Sequence, residues 1–119
     1  MRKINVKEIR DAVAKLCIEA NTILRKDVLA ALKAAHKNEM NKRARGILDI
    51  LIENAAIARN EHIPICQDTG LAEVFVDIGQ DVRIIGRDLS GAINDGIKYG
   101  YKKGFLRSSI IKNPLTRRS

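Results

Sequence analysis

The chain has 119 residues, 45% hydrophobic and 3% aromatic, with 22 basic and 14 acidic residues and a net charge of +8. This is enough for one domain with an aliphatic core of Ile, Leu, Val and Ala, and too little for two. No apolar run reaches the length of a membrane span and no signal-type apolar segment follows the basic N-terminus, so the cytoplasm is the expected compartment. The two cysteines, Cys17 and Cys66, lack Cys-x-x-Cys spacing, which argues against a zinc ribbon or a thioredoxin-type motif, and in a reducing compartment no disulfide is expected. Residues 1–97 carry 15 basic and 14 acidic residues, so the excess lies at the end, in Lys98, Lys102, Lys103, Arg107, Lys112, Arg117 and Arg118. Such a stretch suits phosphates, an anionic substrate or an acidic partner, and equally a solvated basic end.

Taken in order, Ile9, Val13, Leu16, Cys17, Ala20 and Ile23-Leu24 recur at helical spacing behind Asn5, a reasonable N-cap. Cys17 falls on that stripe as a small core filler. A second helix is expected behind Asp27 as cap, with Val28, Leu29, Leu32 and Ala35 on its apolar face, and His36 near its C-terminus interacting with the dipole. A third runs over about 41–60. Its broad stripe of Ala44, Ile47, Leu48, Leu51, Ile52, Ala55 and Ala56 predicts the most buried helix of the three, with Gly46 permitting a close neighbour. Residues 73–78 and 81–85 alternate and are rich in β-formers, and Gly79-Gln80 between them predicts an antiparallel hairpin. A last helix starts near Asp88 or Ser90 and carries Leu89, Ala92, Ile93, Ile97 and Tyr101 on one face. Gly91, Gly96 and Gly100 make it dependent on tertiary packing. The expected fold class is α+β: three N-terminal helices, a turn, a β-hairpin and a C-terminal helix.

Between the helical leader and the hairpin lies Ile63-Pro64-Ile65-Cys66-Gln67-Asp68-Thr69-Gly70. Pro64 biases the preceding residues away from helix and Gly70 permits a tight reversal, so a thiol, an amide, a carboxylate and a hydroxyl are presented in succession. Composition alone would also accommodate an ordinary turn with a half-buried cysteine.

The run Ile-Cys-Gln-Asp-Thr-Gly resembles the first cluster-ligand motif of the iron-sulfur hydro-lyases, the class I fumarase and L-tartrate dehydratase family, in the α subunit or equivalent N-terminal part. A second block agrees with it: Asp88-Leu89, Ala92-Ile93-Asn94-Asp95-Gly96, Gly100-Tyr101, Gly104, Leu106-Arg107-Ser108-Ser109-Ile110 and Asn113-Pro114-Leu115. The resemblance implies a [4Fe-4S] cluster in the complete enzyme, with Cys66 as one thiolate ligand and one iron left open for substrate. It implies Gln67 and Arg107 as substrate-binding residues, Arg107 clamping a carboxylate of a dicarboxylate substrate, and Asp68 as the catalytic group moving a proton to or from the hydroxyl. A guanidinium meets both oxygens of a carboxylate at once, which is what such a clamp requires.

The resemblance departs at one point. The chain lacks the second and third cluster cysteines at later positions, and Cys17 lies upstream on a helix face. Residues 1–119 are therefore expected to be a single domain, the N-terminal fragment of a longer catalytic subunit, inactive alone. Its expected partners are the remainder of the α subunit and a β subunit, in an oligomer. Two rival readings stand beside this one: a non-catalytic interaction protein docking to an intact subunit, and a basic nucleic-acid-binding module using Tyr99, Tyr101, Phe105 and the basic end.

Overall fold

A computed structural model describes residues 1–116 of the chain. Arg117 and Arg118 of the basic end lie outside the described residues. The elements run β1 (Arg2–Asn5), α1 (Val6–Thr22), α2 (Lys26–Asn38), α3 (Lys42–Glu61), β2 (Val82–Ile85) and α4 (Leu89–Lys103), an α+β arrangement. They group into two compact units, one of Met1–Ile18 with Asp68–Ser119 and one of Glu19–Gln67.

In the first unit, Asn5 both ends β1 and caps α1, its Oδ1 accepting from the Lys7 N–H at 2.9 Å, which satisfies one of the amides a helix start leaves open. Asp88 caps α4 in the same way, accepting from Gly91 N–H at 2.7 Å. The packing of α4 on α1 explains a helix with three internal glycines. A Cβ at Gly96 would lie 2.6 Å from the Arg10 carbonyl oxygen and 2.8 Å from Val13 Cβ, and one at Gly100 would lie 2.7 Å from the Ala14 carbonyl oxygen. The backbones approach too closely for a side chain, so tertiary contact outweighs the helix propensity lost at these positions. Val13, Ala14, Ala92 and Leu106 are buried in this unit.

The end of α4 turns the chain sharply. Leu106 N–H donates to the Tyr101 carbonyl at 2.9 Å and Phe105 N–H to that of Lys102 at 3.4 Å, while Phe105 sits at φ 55°. This is the Schellman pattern with phenylalanine where glycine is usual. Leu106 is buried just beyond it, at the position where this cap usually carries an apolar side chain.

The expected hairpin is not formed. Residues 73–78 belong to no strand; β2 instead pairs in parallel with β1, in the register Arg2↔Val82, Lys3↔Arg83, Ile4↔Ile84 and Asn5↔Ile85. A two-residue hairpin loop at Gly79-Gln80 would need positive φ at Gly79, and Gly79 is not among the positive-φ glycines. The Val82 N–H bonds to the Gly79 carbonyl at 3.1 Å, closing a turn that releases β2 toward the N-terminal strand. Alternation marks a strand but does not choose its partner.

In the second unit, α2 and α3 form a helical hairpin. Asp27 is not the cap of α2: the N-cap is Arg25, without a side-chain cap bond. Arg25 Nε instead donates to Asp27 Oδ1 at 3.1 Å, and this bond holds the Asp27 carboxyl below the usual carboxylate range. Asn41 caps α3, accepting from Arg43 and Ala44 N–H at 2.9 and 3.2 Å.

His36 does more than meet a helix dipole. Its Nε2 lies 2.6 Å from Asp49 Oδ1 on α3, with Arg45 Nε at 3.4 Å from the same nitrogen. One nitrogen cannot donate and accept at once, so the short contact is assigned as Nε2–H donating to Asp49.

The broad stripe of α3 is not buried as expected. Of that stripe only Ala55 is buried, while Ile47 and Leu51 are exposed and Ala44, Leu48 and Ile52 are half-buried. Nor does Gly46 admit a close neighbour, because nothing lies within 4 Å of a Cβ placed there. Periodicity identifies the apolar face, and only the polypeptide actually present can cover it.

Candidate functional site

The approach to the candidate site is built from the end of α3. His62 takes the left-handed conformation, φ 55° and ψ 41°, and Ile63 N–H reaches back to the Ala58 carbonyl at 3.2 Å. This stops the helix at Glu61, three residues before Pro64, which could not have continued it. The chain is then pinned twice in succession. Ile65 N–H donates to the Asn21 carbonyl at 2.8 Å, and Cys66 N–H to Asn54 Oδ1 on α3 at 2.9 Å. Gln67 N–H turns back to the Ile65 carbonyl at 2.8 Å. Cys66 and Gln67 therefore occupy a bend, with both side chains exposed. A bend frees the two side chains from the opposite faces that a regular strand would impose.

The second unit ends at Gln67 and the first resumes at Asp68. Within the first unit, Asp68 Oδ1 accepts from Gly70 N–H at 3.2 Å and from the Ser109 hydroxyl at 3.0 Å. Gly70 has φ 61°, the left-handed conformation that glycine adopts without steric cost, and this is the reversal the sequence predicts. Both bonds fall on one carboxylate oxygen, so Oδ2 has no hydrogen bond among the described residues. Asp68 is thus an exposed carboxylate oriented by one oxygen and open at the other, an arrangement suited to receiving or delivering a proton.

Arg107 lies on the segment after α4, two residues before Ser109. It is exposed and makes no ion pair among the described residues, so its fork of donors is available to an incoming carboxylate. An open groove of about 410 Å³ in the same unit is lined by Lys98, Tyr101, Lys102 and Ser108, among others. It adds positive charge to this end of α4.

Two contributors were missed at the level of sequence. Ser109 belongs to the Arg-Ser-Ser run, yet nothing in that run says which serine meets a carboxylate from a distant segment. Asn54 did carry a signal: it sits at helical spacing between Leu51 and the buried Ala58, an amide on an otherwise apolar line, where a half-buried polar group calls for a specific partner.

The cluster implied by resemblance finds only part of its ligand set. Among the described residues, no group of three or more His, Cys, Asp or Glu could hold a metal ion. Cys66 is exposed, whereas Cys17 is half-buried and burial pushes its thiol up, which disfavours the thiolate a ligand must be. A four-iron cluster does not fit these residues alone; Cys66 is their one exposed cysteine.

Residues 10–119 match the family described as fumarate hydratase (Fumerase). The chain is 35% identical over 111 residues to a protein of Methanocaldococcus jannaschii provisionally named L(+)-tartrate dehydratase subunit alpha, covering 92% of this chain and 39% of that protein. It is 30% identical over 107 residues to a protein of Geobacillus stearothermophilus provisionally named fumarate hydratase class I, covering 89% of this chain and 20% of that one. The chain therefore spans well under half the length of either relative. The family match includes the turn at residues 66–70, Arg107 and Ser109, and runs over nearly the whole sequence: the chain belongs to the fumarate hydratase (Fumerase) family.

Proposed function

We propose that this chain is the N-terminal part of the catalytic subunit of an iron-sulfur hydro-lyase that reversibly dehydrates a hydroxy dicarboxylic acid, malate to fumarate or tartrate to oxaloacetate. The observation that carries this reading is the Asp68 carboxylate, tied through one oxygen to Ser109 and open at the other, inside a family match that spans both blocks. Dehydration breaks a carbon–oxygen bond and a carbon–hydrogen bond on the neighbouring carbon; the hydroxyl departs as water and the carbon's proton passes to a separate base in the complete enzyme, so a group that delivers a proton to the departing oxygen lowers the barrier. Asp68 is assigned that transfer, in either direction. Gln67, with its side-chain amide exposed at the bend, hydrogen-bonds the substrate, and Arg107 receives a substrate carboxylate through two parallel N–H···O bonds. Cys66 contributes one thiolate to a [4Fe-4S] cluster in the complete enzyme, and the other ligands come from outside these 119 residues.

The names of the relatives support the partners as well, since a protein named as a subunit alpha implies a further subunit. The complete enzyme would unite this chain with the remainder of an α subunit and a β subunit. No helix of the described residues is long and apolar enough to cross a membrane.

Anaerobic assays with malate, fumarate and tartrate test the reading. The pure 119-residue chain should turn over none of them, and the same chain supplied with the missing polypeptides and reconstituted with iron and sulfide should turn over at least one. Activity of the chain alone would overturn the claim that it is incomplete; a reconstituted assembly inert toward every hydroxy diacid would overturn the hydro-lyase assignment.

A further inference from the structure

Directly after the Asp68–Gly70 reversal the chain runs Leu71-Ala72-Glu73-Val74-Phe75-Val76-Asp77-Ile78. Its composition and alternation are those of a strand, with Ala72, Val74, Val76 and Ile78 on one face of a two-residue repeat. In the chain by itself it is no strand. None of the hydrogen bonds among the described residues involves residues 73–78, and its apolar side chains are in water: Phe75 is 90% exposed, Ile78 51%, Val76 47% and Val74 40%. A β-branched run with free amides and carbonyls and an uncovered apolar face lacks a partner strand.

We propose that residues 73–78 form a β-strand against the polypeptide that the relatives carry outside the region this chain matches, so that this strand, beginning five residues after Asp68, is the docking edge by which the catalytic unit is completed. This choice of occupant rests on the hydro-lyase reading. Two observations favour it over a second copy of the chain. The matched region makes up 39% and 20% of the two relatives, so proteins of this family contain ample further polypeptide to supply a strand. Self-pairing is opposed by charge: antiparallel pairing centred on Phe75 sets Glu73 opposite Asp77, and parallel in-register pairing sets each acid opposite itself. Like charges directly across a ladder destabilise it. The strand that fits has neutral or basic residues opposite Glu73 and Asp77, and belongs to a sheet with an apolar face for Val74, Val76 and Ile78.

The test uses the 119-residue chain and, as a separate polypeptide, the part of the Methanocaldococcus relative outside the matched residues. Capture of one by the other is measured together with amide hydrogen exchange. The expected result is capture, with the amides of residues 73–78 slowed at least about 100-fold while those of α4 hold their level. Val76→Pro deletes one ladder donor and should weaken capture about tenfold. Because Val76 makes no hydrogen bond in the free chain, the helical circular dichroism should not change. Absence of capture, or capture with residues 73–78 exchanging as fast as in the free chain, overturns the proposal. So does concentration-dependent protection in the chain alone, which would assign the edge to a second copy. The two readings fail separately: capture with protection but no turnover of any hydroxy diacid removes the proposed activity and keeps the strand, whereas turnover with residues 73–78 unprotected does the reverse.

Discussion

The Ser109 hydroxyl donates to Asp68 Oδ1 at 3.0 Å, joining positions 41 residues apart. One end of this bond is in the Cys-Gln-Asp-Thr-Gly turn and the other in the Arg-Ser-Ser segment, so the two blocks that carry the family resemblance meet at a carboxylate. If Asp68 transfers the proton, Ser109 is a positioning residue that acts through it. In the assembled enzyme Asp68→Asn should lower kcat by about 10²- to 10⁴-fold, the usual worth of a general acid–base group. Ser109→Ala should cost about tenfold, comparable to one hydrogen bond of orientation, and Ser109→Thr, which keeps the hydroxyl, should recover most of it. Steady-state kinetics with KM reported separately decide the matter. Wild-type kcat in Ser109→Ala would remove serine from the mechanism.

Much of this was legible in the sequence because it is local. Asn5 caps α1 as its side-chain chemistry dictates, α3 and α4 begin beside Asn41 and Asp88 as expected, Gly70 makes its reversal, and the glycines of α4 imply the close packing that is found. What was not legible depends on distant partners. The pairing of Arg2–Asn5 with Val82–Ile85 brings together segments about 80 residues apart, and β1 has too few residues to announce itself by alternation. The contact of Asp68 with Ser109 is equally non-local. The exposed stripe of α3 failed for a different reason: hydrophobic spacing reports which face seeks burial, not whether these 119 residues cover it.

Two glycines in helices should respond oppositely to the same substitution. At Gly46 nothing lies within 4 Å of an added Cβ, so Gly46→Ala removes only the entropic disadvantage of glycine in α3 and should stabilise the second unit by about 0.5–1 kcal/mol. At Gly96 the added Cβ meets the Arg10 carbonyl oxygen at 2.6 Å and Val13 Cβ at 2.8 Å, a backbone atom and a branched carbon that no rotamer change relieves. Gly96→Ala should therefore destabilise the first unit by about 1–3 kcal/mol despite its better helix propensity. Urea melts followed by circular dichroism measure both. A stabilised Gly96→Ala would mean that α4 does not lie against α1 as described.

Two half-buried groups of the first unit, Cys17 and Tyr101, should also make the chain sensitive to alkali. Burial raises the Tyr101 phenol above its ordinary range, with Cys17 reinforcing the shift, and burial raises the Cys17 thiol as well. Both groups are neutral at pH 7, and folding favours the neutral form of each. Their contribution to stability is therefore fully present below the unfolded-state values, about 8.5 for cysteine and 10 for tyrosine. It is lost as pH rises through the raised folded-state values, because there the unfolded chain gives up its protons first. Thermal melts between pH 7 and 11 should show a plateau up to about pH 8 and a decline above it. Tyr101→Phe, which cannot ionise, should reduce the slope of the upper part of that decline, and Cys17→Ser the lower part. Thiol alkylation at pH 8 gives an independent check, since exposed Cys66 should react well before half-buried Cys17. Equal rates at the two cysteines, or an alkaline limb unchanged in Tyr101→Phe, would show that α1 and α4 do not shield these groups.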